Sequence, residues 1–108
     1  MAKYIKYNAS STTNVLIGKN ESQQTGNISK ISICNERPSG STDTSLVSIY
    51  LHDGNTSNDI YIIRQVDIPP SVTLVLEDNL SFNINKYSLK INVGHVGAAS
   101  EQLSIIIK

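Results

Sequence analysis

Two histidines, one cysteine and a few neighbouring carboxylates are the side chains from which this 108-residue sequence would have to build catalysis or a metal site. His52 and His95 each flank an expected loop. Neither has a cysteine or a second histidine at metal-ligand spacing beside it. Glu77 and Asp78 are adjacent, and neighbours on a strand point to opposite faces, so they make no acid–base pair. The serines sit on expected strand surfaces and in loops, without a nucleophile elbow, a base or an orienting group. Cys34 stands on the face opposite Ile31 and Ile33, as a small structural side chain rather than a nucleophile. The expectation is a protein that is not an enzyme, with no catalytic residue, no cofactor and no metal.

Two further groups of residues bear on binding. Asp53-Gly54-Asn55 followed by Asn58-Asp59 places oxygen side chains on a glycine-bearing loop, and calcium takes such ligands. No acidic residue stands at the twelfth loop position, so the spacing is not that of an EF-hand, and a hairpin turn is the expectation. Tyr50, Tyr61 and Tyr87 lie in three different expected strands, with Tyr4 and Tyr7 near the N-terminus. An exposed tyrosine row stacks on sugar rings or anchors a protein interface; the plainer alternative is a set of core-rim tyrosines with wetted hydroxyls. The absence of tryptophan counts against a carbohydrate-binding module.

The elements that must position these residues are strands. Asp59–Glu77 organises the chain: Ile60, Ile62, Val66 and Ile68 form one apolar series, Val72, Leu74 and Leu76 another, and β-branched residues dominate both. Pro69 and Pro70 between them donate no ladder hydrogen bonds, so the chain leaves its sheet there. Ile62 and Leu74 are expected to face inward. Further strands are expected at residues 3–7, 14–17, 27–35, 43–52, 80–84, 87–93 and 103–107. The run Ile105-Ile106-Ile107 implies burial on both sides. Loops are expected at 36–41, 53–58 and 94–100, where Gly, Pro, Asn, Asp and Ser collect. Nowhere do apolar residues recur at helical spacing with capping signals. Turn signals about every ten residues point to an all-β fold, an antiparallel two-sheet β-sandwich of about eight short strands.

From Ala9 to Gly26 the composition turns to Ser, Thr, Asn and Gln, interrupted by Val15, Leu16 and Ile17. Residues 1–26 are therefore expected to form a polar N-terminal arm and 27–108 the sandwich domain. The arm would pack either on its own domain or on a neighbour; in the second case Asn14, Val15, Leu16 and Ile17 would be the subunit contact, added as an edge strand. Formal net charge is +0 and charged residues make up 17%. The lysines are scattered rather than striped, which excludes nucleic acid as an expected partner. No apolar run reaches the ~20 residues of a membrane span and no signal-like segment opens the chain, so no membrane is expected and synthesis would be cytoplasmic. One cysteine excludes an intrachain disulfide. Near-zero charge gives little colloidal repulsion, which suits a protein that lives assembled.

The pieces ISKISICNE, TSLVSIYLHDG, IYIIRQVDIPPSVTLVLED and LSFNINKYSLKINV, followed by a last apolar strand, have a recognisable rhythm. It runs as strand, Asn-bearing turn, strand ending in Asp-Gly, strand, Ile-Pro corner, strand, and a Tyr-x-Leu-x-Ile strand. In this, residues from Ile28 to Lys108 resemble small β-sandwich virion structural proteins of tailed bacteriophages, especially large marine and cyanophage-like ones. The resemblance implies a head decoration, neck, tail or fibre component without active-site residues. The expectation from it is a non-enzymatic virion protein, first of all a capsid decoration or other head-associated component. It would be a homo-oligomer bound to coat, connector or tail proteins and found in the virion after assembly in the host cytoplasm. A carbohydrate-binding module is the alternative outside that class.

Overall fold

The chain turns back on itself at Gly54–Ser57, and everything else is nested around that turn. The computed structural model describes residues 2–7, 13–22, 24–40, 44–77, 79–96 and 103–108. Among them the strands are β1 (Lys3–Tyr7), β2 (Thr13–Ile17), β3 (Asn27–Ile28), β4 (Ile31–Asn35), β5 (Thr44–Asp53), β6 (Asn58–Ile68), β7 (Thr73–Leu76), β8 (Leu80–Ser81), β9 (Tyr87–Val96) and β10 (Leu103–Ile107). β5 pairs with β6, β4 with β7, β3 with β8, β2 with β9 and β1 with β10, all antiparallel. The chain is thus one long hairpin ribbon. The ribbon then rolls, so that β10 also pairs with β4 and β9 with β5. Two four-stranded sheets result, β1-β10-β4-β7 and β2-β9-β5-β6, with β3-β8 as a separate short ribbon. This is the jelly-roll form of the antiparallel β-sandwich that the strand rhythm predicts.

Period-two alternation sorts each strand into a core face and an outer face. Leu103, Ile105 and Ile107 of β10 and Ile31 and Ile33 of β4 are buried from the first sheet. Val47, Ile49 and Leu51 of β5 and Leu89, Ile91 and Val93 of β9 are buried from the second. The central strands carry most of this core, and edge strands β2 and β6 add Leu16, Ile17 and Ile68 to it. Ile62 of β6 and Leu74 of β7 do pack against the core, but as half-buried residues. Ile106 corrects the expectation of two-sided burial in β10: it lies on the outer face and is exposed.

The proline corner does what its sequence requires. β6 ends at Ile68 in the second sheet, and β7 begins at Thr73 in the first. Ser71 holds a left-handed backbone there, with φ of 64°. Its N–H donates to Asn35 O at 3.0 Å and its hydroxyl to Arg37 O at 2.9 Å. The strand expected over residues 27–35 is broken at Ser29-Lys30, whose N–H groups both donate to Lys108 O. Gly94, expected in a loop, instead continues β9 to Val96. The strand expected over 80–84 shortens to Leu80–Ser81, since residues 84–86 form a turn. Gly26 has a specific reason to lack a side chain: a Cβ there would overlap the carbonyl oxygen of Phe82.

The described strands of the expected N-terminal arm, residues 3–7 and 13–17, lie within the sandwich. β1 is an edge strand of the first sheet and β2 an edge strand of the second. A register shift in β2 between Val15 and Ile17 turns both Leu16 and Ile17 into the core, where they are 0% and 1% exposed. Both strands stand within a residue of their expected bounds, 3–7 and 14–17, and their burial comes from long-range pairing, with residues 87–96 and 103–107. Lys3 ties the two strands together, donating to Leu16 O at 2.6 Å and pairing with Glu21 at 2.8 Å.

Three carboxylates are held below their ordinary range. Partial burial pushes Glu21 up, but the Lys3 ammonium and the Gly18 N–H outweigh it. Glu36 is drawn down by the Ser104 hydroxyl and then by Lys6, 3.0 Å away. Asp53 is drawn down chiefly by the Asn55 N–H at 3.0 Å. A depressed folded-state pKa contributes stability above the unfolded value and loses it as pH falls through the folded value. The urea midpoint is therefore expected to be flat from neutral pH to about 5 and to fall below about pH 4. A midpoint that rises on acidification contradicts these contacts.

Candidate functional site

The outer face of the second sheet collects the polar and aromatic residues that the core excludes. Register across β9, β5 and β6 places them in rows. Ser88, His52 and Asp59 form one row; Lys90, Tyr50 and Tyr61 the next. Asn92 and Ser48 follow, opposite Arg64 and Gln65, and then Gly94, Leu46 and Asp67. Val15 of β2 extends the second row and is half exposed.

Tyr50 and Tyr61 meet directly, with ring centroids 5.2 Å apart and planes inclined by 39°. Tyr50 is buried at 7% exposure yet stands outside the hydrophobic cluster, because it lies on the outer face beneath its neighbours. Tyr61 is exposed, and the Arg64 guanidinium carbon sits 5.0 Å over its ring. Cation–π contact of this kind fixes a side chain that would otherwise sample many rotamers.

The strand geometry is irregular at this point. The pairing of β5 with β6 shifts register between Val47 and Ile49 and again between Ile49 and Tyr50. Bulges of this kind bend a strand and re-aim its side chains. Gln65 adopts a left-handed backbone with φ of 54°, a conformation costing on the order of 1 kcal/mol for a non-glycine residue. Its N–H donates to Ser48 Oγ at 2.9 Å, which holds the distortion in place. The outcome is a hollow of about 250 Å³ lined by Ser48, Tyr61, Arg64, Gln65 and Asn92, with Leu46 and Gly94 at its end.

A second hollow, also about 250 Å³, lies between the middle of β6 and the C-terminal end of β7. Its wall is Ile28, Ile31, Ile62, Ile63, Leu76 and Leu80, with Asn79 as the one polar side chain, so it offers little to orient a ligand. On the outer face of the first sheet, Tyr4, Ile106, Ser32 and Val75 stand in one row across all four strands. Tyr4, Ile106 and Val75 are exposed.

The residues singled out by sequence are placed as follows. The side chains of Leu16 and Ile17 are enclosed by the chain's own core. Val15 points outward, and Asn14 pairs in register with Ile91 on an edge strand. Tyr87 packs partly against the core and does not join the tyrosine pair. Asp53 and Asp59 are drawn into local bonds at the hairpin: Asp53 caps the turn, and Asp59 Oδ1 meets His52 Nδ1 at 2.7 Å. Among the described residues, no three of His, Cys, Asp and Glu come together as a metal-ligand set. Cys34 is half-buried on the outer face of β4. Arg64, Gln65, Ser48 and Asn92 were not singled out by the sequence reading. For Arg64 and Gln65 the signal is the doubled Ile62-Ile63 and Arg64-Gln65, which interrupts the alternation of β6; Ser48 and Asn92 carry no such signal.

No protein-family model matches this chain, and no curated protein matches it. Among solved structures it is similar to the CBM22-1 xylan-binding domain from Paenibacillus barcinonensis Xyn10C, with 14% sequence identity and a TM-score of 0.49 over 97% of this chain and 70% of that one.

Proposed function

We propose that this protein is a non-catalytic binding module that holds a saccharide unit in the hollow on the outer face of the β2-β9-β5-β6 sheet. The observation that carries this reading is the convergence of Ser48, Gln65, Asn92 and Arg64 beside Tyr61 at a bulged, locally strained point of the sheet. Sugar hydroxyls both donate and accept. Hydroxyl and amide side chains match them in both senses, and an exposed aromatic ring adds apolar contact for the C–H surface. The hollow lies just below the ~300–1,000 Å³ of drug-sized sites, which suits one ring of a longer chain crossing the open sheet.

A glycan array probed with the full chain tests the proposal. Binding to a defined subset of glycans is expected, and silence across the array would sink it. Gly94→Gln provides a mutational check. A Cβ at residue 94 would lie 3.8 Å from Leu46 Cδ2, an ordinary contact, so the strand tolerates it. The longer side chain then occupies the hollow. Expected is an unchanged melting temperature with glycan affinity reduced about tenfold or more.

A second reading, assembly into a phage particle, is favoured by the exposed Tyr4, Ile106 and Val75 row and by the strand rhythm of Ile28–Lys108. Repeated weak contacts of such a row would add across a lattice. The jelly roll hosts both capsid and lectin functions, so the fold itself does not choose between them. Sedimentation of the purified chain measures this reading: self-association supports it, and a monomer at all concentrations counts against it.

A further inference from the structure

We infer that the saccharide held by this hollow is anionic, with a carboxylate or sulfate group received by Arg64. The inference rests on the glycan-binding reading above and adds the charge of the ligand to it. Arg64 lies against Tyr61, and Tyr61 leans on the buried Tyr50, so the guanidinium has a fixed platform beneath one face. A guanidinium seated over a ring still has a fork of N–H donors, which can receive a planar carboxylate through two parallel bonds. Among the described residues, Arg64 has no carboxylate partner within ion-pair distance.

Lys90 adds a second positive charge in the Tyr50 row of the same face, half-buried and likewise without an ion pair among the described residues. Two carboxylates share this face: Asp59 is engaged by His52 at 2.7 Å, and Asp67, in register with Leu46 at the end of the hollow, makes no ion pair with Arg64. A chain with formal net charge +0 thus lines one hollow with an unpaired cation, Arg64, among polar groups that are otherwise neutral, and carries Lys90 one row away. A neutral sugar would use Ser48, Gln65 and Asn92 and leave Arg64 in water. An acidic sugar uses all four.

The test is an array carrying neutral glycans and their uronate-, sialate- and sulfate-bearing counterparts, followed by titration of the strongest binder. Acidic members are expected to bind about tenfold more tightly than neutral counterparts at low salt, a preference that shrinks as salt rises through ~0.5 M. Arg64→Gln is expected to erase the preference while leaving the thermal melt unchanged, and Arg64→Lys to restore part of it. Methyl esterification of a bound uronate should remove the preference without changing the protein, and the sulfate arm shows which anion is favoured. Equal binding of neutral and acidic members, or a preference untouched by Arg64→Gln, would overturn the inference while glycan binding stands. Silence across the whole array would remove the glycan reading and this inference together.

Discussion

A chain lacking residues 1–26 is expected not to fold cooperatively. The deletion removes β1 and β2, one edge strand from each sheet. It opens the main-chain hydrogen bonds of β9 and β10 along those edges. It also takes away Leu16 and Ile17, both fully buried, and the partly buried Ile5. Each full burial of such a side chain contributes about 1.5–3 kcal/mol, against a total stability of about 5–15 kcal/mol for a domain. Losing two of them together with two strand pairings removes most of the margin. The milder variant Ile17→Ala isolates the packing part and should cost about 2–5 kcal/mol in urea unfolding. A sharp melting transition in the truncated protein, or a loss under about 0.5 kcal/mol in Ile17→Ala, would contradict the placement of β2 in the core.

Asn35→Ala is expected to be nearly as damaging, for a different reason. Asn35 is wholly buried at the end of β4. Its amide donates to Ile68 O at 2.9 Å, and its Oδ1 accepts the Arg37 N–H at 3.1 Å. Its own backbone accepts from Ser71 N–H and donates to Val72 O, both at 3.0 Å. One side chain therefore clamps the corner at which the chain passes from β6 to β7. Alanine would leave a buried carbonyl and a buried N–H without partners, at about 1–3 kcal/mol each, so the total is on the order of 2–5 kcal/mol. Asn35→Asp is a sharper version. It keeps the acceptor for Arg37 but removes the donor to Ile68 O, and it buries a charge. Equilibrium urea unfolding of both variants measures the effect, and a midpoint equal to that of the unmodified chain would show that the corner holds without the clamp.

The strands of the central ribbon were legible because their alternation is a local property. Ile31, Ile33, Val47, Ile49 and Leu51 repeat at two-residue spacing, and the tertiary structure uses that spacing directly. The corner at Pro69-Pro70 was legible for the same reason, since proline's missing donor is written in the residue itself. β1 and β2 were not assigned to the sandwich because their burial depends on partners some 75 to 100 residues away in sequence. Leu16 and Ile17, adjacent and both buried, also violate simple alternation, and only the bulge reconciles them. The candidate site was half visible. Tyr50 and Tyr61 could be named from the sequence, but their contact depends on the hairpin register. Arg64 and Gln65 reach the same face only because two register shifts re-phase β6, and a left-handed glutamine has no sequence signature. The clamp role of Asn35 was hidden in the same way: its partners Ile68 and Ser71 lie beyond two further strands.

The outer face of the β2-β9-β5-β6 sheet is the proposed binding surface. Its test is titration of the isotope-labelled full chain with the strongest array binder, followed by amide chemical shifts. Saturable shifts are expected at Ser48, Tyr61, Arg64, Gln65, Asn92 and Gly94, with the first sheet unmoved. Shifts centred on Tyr4, Ile106 and Val75, or shifts at neither face, would contradict it.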